Sequence, residues 1–105
     1  MKRHYSYGKS GIYAIVCSVN NGVYIGQTAS SNGFRKRWNV EKCNLNSNNG
    51  RENSHLNRAW NKYGQNSFEF KILEECEDDM LDIREKSWIK YYKNLGKNVY
   101  NFIVH

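Results

Sequence analysis

Two short runs constrain the fold most: "GIYAIVC" at residues 11–17 and "VYIGQ" at 23–27, both rich in β-branched and aromatic residues and separated by five residues ending in Asn20-Asn21-Gly22. Such a pattern specifies a β-hairpin. With an even number of loop residues, such as the two-residue turn that Asn-Gly favours, cross-strand partners have positions that sum to an odd number and point to the same face. Tyr13 and Tyr24 therefore share a face with Ile15 and Cys17, while Ile12, Ala14, Val16, Val23 and Ile25 line the other, which is the expected core. Two phenols remain on the less apolar face, beside Gly26, where a ligand backbone can approach closely. They are either half-buried sheet aromatics under a helix or contacts for something outside the fold.

The remaining sequence supplies partners for this hairpin. "GFRKRWNVEKCNL" from Gly33 sets Phe34, Trp38 and Leu45 at helical spacing, and "NSHLNRAWNKYG" does so with Leu56, Trp60 and Tyr63 before Gly64. "SFEFKILEE" alternates as a strand, and "EDDMLDIREKSWIKYYKN" has acids first and lysines last, as the helix dipole prefers, with Gly96 after it. The expected order is ββααβα with a short tail: an α+β domain in which a three-stranded antiparallel sheet is flanked by about three helices. At 105 residues, with no proline and 25% charged residues, the chain is one compact domain over residues 1–105. Residues 1–9 form a basic, poorly ordered leader, and the loop carrying Arg51 is exposed.

The net charge of +6 is unevenly placed. Residues 1–65 hold ten Lys and Arg against two acids, whereas residues 66–105 hold six against eight. A basic half facing away from an acidic one suits a polyanion. Cys17, Cys43 and Cys76 are odd in number and lack zinc-ligand spacing, and neither a signal peptide nor a membrane-length apolar run is present. A reducing intracellular compartment is expected.

Two charged residues sit where apolar ones belong. Arg37 lies on the stripe formed by Phe34, Trp38, Glu41 and Leu45, and needs an anion, either Glu41 or a ligand phosphate. Glu85 falls amid Leu81, Trp88, Ile89 and Tyr92, and needs a cation, either Arg37 or a divalent metal. Two phenols, an inward arginine and an inward glutamate suit phosphodiester chemistry: the arginine offsets phosphoryl charge, the carboxylate holds Mg²⁺, and a phenol passes a proton.

These residues together resemble the GIY-YIG nucleases. "GIY" at 11–13 and "YIG" at 24–26 are followed, in the family's order, by "FRKRW" with Arg37, "HLNRAWNKYG" from His55, "REKSWI" with Glu85, and "YN" ending in Asn101. The "NRAWNKYG" element is similar to the intron-encoded and phage homing branch. The resemblance implies hydrolysis of double-stranded DNA with one divalent ion, Mg²⁺ or Mn²⁺, leaving a 5′ phosphate and a 3′ hydroxyl. It implies Glu85 as metal ligand, Arg37 as the group that stabilises the pentavalent phosphate, and Tyr13 as general base or water-orienting group. Tyr24 would position the scissile phosphate, and Asn101 would brace the site. Glu41 departs from the histidine or tyrosine usual four residues after the arginine, so it either accepts a proton with Tyr13 or only pairs with Arg37, and His55 could lean in instead. Gln27 stands where some relatives carry lysine.

Lys9, Arg35, Lys36, Lys42, Arg51, Arg58 and Lys62 are candidate phosphate contacts, Trp60 and Tyr63 are core, and the acidic run from Glu74 to Asp82 is expected to face away from DNA. A monomer is expected, either an isolated catalytic domain lacking the separate DNA-binding region of homing relatives or a minimal enzyme. The alternatives are a non-catalytic nucleic-acid-binding module on the same fold and a structure-selective repair or recombination nuclease.

Overall fold

A computed structural model describes residues 10–29, 33–46 and 54–101, so Lys9, Arg51 and the basic leader lie outside the described residues. The elements are β1 (Gly11–Cys17), β2 (Gly22–Thr28), α1 (Gly33–Asn46), α2 (Ser54–Tyr63), β3 (Phe68–Glu75), α3 (Leu81–Asn94) and β4 (Asn98–Val99). Short 3₁₀ turns at Gln65–Ser67 and Asp78–Met80 lead into β3 and α3.

The sheet has four strands in the order β3-β1-β2-β4, and β4 runs parallel to β2, which corrects the three-stranded antiparallel expectation. The cause lies at the end of α3. Gly96 takes φ 84°, its N–H donates to Lys93 O and the Lys97 N–H donates to Tyr92 O, a Schellman arrangement that turns the chain back onto the hairpin. The Asn98 N–H then donates to Asn21 O, and the Tyr100 N–H to Val23 O at 2.7 Å. Tyr100 slides over Gly22, where any Cβ would collide with the phenol ring. Two strand residues are too few to show in a hydropathy pattern.

In the hairpin, pairing runs from Gly11↔Thr28 to Val16↔Val23. Residues 18–21 form a four-residue loop in place of the two-residue turn, with Asn21 at φ 62° and Asn20 Oδ1 accepting the Gly22 N–H at 3.0 Å. Because that loop is also even, the faces divide as expected.

Both faces are core, however. Ile12, Ala14, Val23 and Ile25 meet Leu81 of α3, with Trp88, Ile89 and Tyr92 packed alongside. Tyr13, Ile15 and Cys17 meet Phe34 and Leu45 of α1, Leu56 and Trp60 of α2, and Phe68 and Tyr100. The tyrosine face is thus not the outward one: Tyr13 has 0% exposure. Its ring stacks on Phe70 at 4.9 Å between centroids, and Trp38 stacks on Phe70 at the same spacing. Such pairs add about 0.5–1.5 kcal/mol each beyond burial. Trp60 is 4% exposed, and its Nε1 donates to Asn46 Oδ1, so it is core as expected, with Tyr63 packed against that cluster.

A register shift between Ile12 and Tyr13 leaves Leu73 of β3 unpaired, so that Leu73 packs on the α3 side. Glu74 follows and accepts from Arg84 Nε at 2.8 Å and Trp88 Nε1 at 2.9 Å, tying β3 to α3. The three cysteines are free, and among the described residues no helix is long and apolar enough to cross a membrane.

Candidate active site

α1 presents Arg37 and Glu41, one turn apart, to the buried phenol of Tyr13. The Tyr13 hydroxyl donates to Glu41 Oε2 at 2.5 Å and accepts from Arg37 Nε at 3.0 Å, while Arg37 Nη2 lies 3.3 Å from the same carboxylate oxygen. Glu41 is 9% exposed. Burial, and then the Glu41 charge, hold the Tyr13 phenol well above its ordinary value, so it stays protonated. Burial works against the Arg37 charge, but Tyr13 and Glu41 more than offset it, and the guanidinium holds its proton more firmly than usual. Tyr24 adds to both effects. It is half-buried and packs on the same cluster.

Gly26 lies opposite Tyr13, and a Cβ there would strike the phenol ring and hydroxyl. The glycine of the second triplet thus makes room for the tyrosine of the first, and not for a ligand.

On the other side of the sheet, Glu85 of α3 is half-buried and receives Gln27 Nε2 at 2.6 Å. The same nitrogen donates to Asp82 Oδ1 at 2.9 Å. Burial raises the Glu85 carboxyl above the usual range, the Gln27 hydrogen bond pulls it back, Asp82 pushes it up, and Arg37 and Lys86 pull it down. Arg37 is therefore near enough to be felt, yet the two ion pairs among the described residues are Arg37–Glu41 and Arg84–Glu74, and neither includes Glu85. Asp82, from the acidic run, thus lies beside Glu85 on their shared donor. Sequence reasoning gave Gln27 no role beyond standing where some relatives carry lysine, although its parity with Val23 and Ile25 placed it toward α3.

Among the described residues no three His, Cys, Asp or Glu side chains gather as a metal-binding group. The pair Glu85 and Asp82 fits Mg²⁺, which keeps several waters and takes one or two carboxylates together with substrate phosphate. A desolvated carboxylate with an amide as its hydrogen-bond donor, and no cation paired to it, is the donor chemistry such an ion would complete.

Asn101 closes the edge of β2: its Nδ2 donates to Ile25 O at 2.7 Å and its Oδ1 accepts the Ile25 N–H at 2.8 Å. His55 does not join Tyr13; it is exposed on α2 and lines a groove with Asn98 and Tyr100. Arg35, Lys36, Arg58 and Lys62 are exposed, and Lys42 lies 5.4 Å over the Trp38 ring.

The paired-tyrosine hairpin thus carries an arginine helix on one face and a glutamate helix on the other. The GIY-YIG catalytic domain matches residues 9–101, and the chain belongs to the GIY-YIG family of nucleases. It is 45% identical over 85 residues to Intron-associated endonuclease 1 of Enterobacteria phage T4, covering 78% of this chain and 32% of that protein. The chain thus spans about a third of that relative's length. Two solved structures are similar. One is the catalytic domain of homing endonuclease I-TevI, with TM-score 0.78 and 36% identity over 91% of this chain and 100% of that one. The other is a mutant of the same catalytic domain, with TM-score 0.76 and 37% identity over 89% and 92% of the two chains.

Proposed function

We propose that this domain is a metal-dependent, homing-type endonuclease that hydrolyses phosphodiester bonds of double-stranded DNA, leaving a 5′ phosphate and a 3′ hydroxyl. One observation carries the reading. Arg37 from α1 and Glu85 from α3 approach the β2 rim at Gly26 and Gln27 from opposite faces of the sheet, and neither is consumed by pairing with the other. A positive group for phosphoryl oxygens and a carboxylate for a metal are thereby set a short way apart.

Arg37 is 36% exposed in its side chain, so with Nε committed to Tyr13 the guanidinium fork still reaches solvent and can take phosphoryl oxygens. Glu85, with Asp82 beside it, would hold a single Mg²⁺ or Mn²⁺, which would supply Lewis-acid polarisation of the phosphate. Gln27 fixes the Glu85 carboxylate. Tyr24, half-exposed on the Arg37 side, is the phenol suited to orient the scissile phosphate and the attacking water.

Tyr13 takes a different part from general base. Its only proton already goes to Glu41, a lone pair already receives Arg37, and none of its surface meets solvent. Tyr13 and Glu41 are positioning residues that hold the Arg37 fork, and Asn101 holds the β2 rim.

The direct test incubates supercoiled plasmid with the protein and Mg²⁺, with and without EDTA, alongside Glu85→Gln. Relaxed or linear product that EDTA and Glu85→Gln both abolish is expected. Folded protein that binds the plasmid and leaves it supercoiled would reduce the domain to a binding module, and cleavage of branched but not linear duplex would favour a repair or recombination role.

A further inference from the structure

α2 sets His55, Arg58 and Lys62 three and four residues apart, which is one stripe of the helix, and all three are exposed. That stripe forms one wall of an open groove of about 440 Å³ whose other wall is Asn98, Tyr100 and Asn101. None of the residues lining the groove is acidic. Among the described residues neither Arg58 nor Lys62 has a carboxylate partner, and Lys62 rests over the Tyr63 ring at 5.5 Å. The groove ends at Asn101, whose amide holds Ile25, the residue before the Gly26–Gln27 rim. It thus reaches the edge of β2 one residue from the Gly26–Gln27 rim.

Resting on the nuclease reading, we infer that this groove carries the sugar-phosphate backbone of one strand of duplex DNA as it leaves the cleavage site. The chemistry suits a polymer more than a small anion, because the cations stand along an open wall and do not enclose a cavity. Spacing agrees as well. From residue 55 to 62 the helix rises about 10 Å at about 1.5 Å per residue. One strand of B-DNA advances about 3.4 Å along the duplex axis per phosphate, so a stripe lying along that axis spans at most roughly three phosphates. The asparagine wall offers amide donors for phosphate and sugar, contacts that set register without reading sequence.

The test is the salt dependence of binding, measured by fluorescence anisotropy on a short duplex oligonucleotide without divalent ions. Arg58→Ala/Lys62→Ala should weaken binding at least about tenfold at low salt and flatten the slope of log K against log salt by about 1.8, at about 0.9 for each lost phosphate contact. Lys71→Ala/Lys93→Ala, which removes the same charge from β3 and α3, should keep the wild-type slope. An unchanged slope in the α2 variant, equal losses in both variants, or an effect seen on single-stranded but not duplex DNA would overturn the groove. Wild-type protein that shows the predicted slope difference yet never cuts plasmid would instead sink the nuclease reading and leave the groove standing.

Discussion

Replacing Tyr13 with phenylalanine removes one oxygen atom and leaves the ring where it is, stacked on Phe70 and lying against Gly26. Two hydrogen bonds go with it, to Glu41 at 2.5 Å and from Arg37 Nε at 3.0 Å. Hydrogen bonds to charged groups contribute about 1.5–3 kcal/mol each, but Glu41 keeps Arg37 Nη2 at 3.3 Å and that pair can tighten, so the net loss should be about 2–3 kcal/mol rather than the sum. In a domain of this size that lowers Tm by roughly 10–20 °C. Cleavage should fall about ten- to a hundredfold through lost orientation of the guanidinium. The decisive assay is a double-mutant cycle on plasmid cleavage. In an Arg37→Lys background, where no Nε–H remains to be held, Tyr13→Phe should cost almost nothing further in rate. A general base would still be missed there. A further loss of about a hundredfold or more in folded protein would refute the positioning role and restore Tyr13 as proton acceptor.

Three other outcomes follow from the same geometry. Gly26→Ala forces the Tyr13 ring to move, and the urea midpoint should report a loss of about 1–3 kcal/mol, with cleavage falling alongside it; wild-type stability would mean the ring has room to spare. Gln27→Ala frees Glu85 and Asp82 from their shared donor, so cleavage should drop more at limiting than at saturating Mg²⁺, and an equal drop at both would assign Gln27 to another task. Burial raises Tyr13 well above the ordinary 10.0, and burial, which outweighs the hydrogen bond to Asn20, pushes Tyr100 up to about 12. Above about pH 10 the unfolded chain then releases protons that the folded chain retains, so stability should decline as pH rises from there. Urea melts at pH 8, 10 and 11, with tyrosinate absorbance followed in parallel, should show that decline; flat stability would contradict it.

What the sequence disclosed and what it hid have separate physical origins. Period-two alternation and a short even loop place Tyr13 and Tyr24 on one face whatever the turn type, because parity survives a change from two loop residues to four. Helical spacing likewise set Arg37 and Glu41 inward, and Glu85 amid Leu81, Trp88 and Ile89. Parity cannot tell which face of a sheet is covered. Phe34, Trp60 and Phe68 belong to elements far along the chain, and only their return over the hairpin buries Tyr13 completely. The same holds for Gly26, whose neighbour Tyr13 is distant in sequence and directly opposite in the sheet. Gln27 and Asp82 were present as letters, but their shared hydrogen bond exists only because α3 packs on the face that Gln27 occupies.

The least legible element also sets how the outer edge of β2 is paired. β4 pairs with only Gly22 and Val23, and the next rung of the ladder, at Ile25, is filled by the Asn101 amide standing in for a backbone. Among the described residues no strand continues along the outer edge of β2 beyond that point, and the rim at Gly26 and Gln27 lies between the two helical layers. A longer fourth strand would satisfy more of this edge and also wall it off. Arg37 comes from one layer and Glu85 from the other, close enough for the Arg37 charge to act on the Glu85 carboxyl. Among the described residues Asn101 is thus the last rung on this edge of β2, one residue short of the Gly26–Gln27 rim.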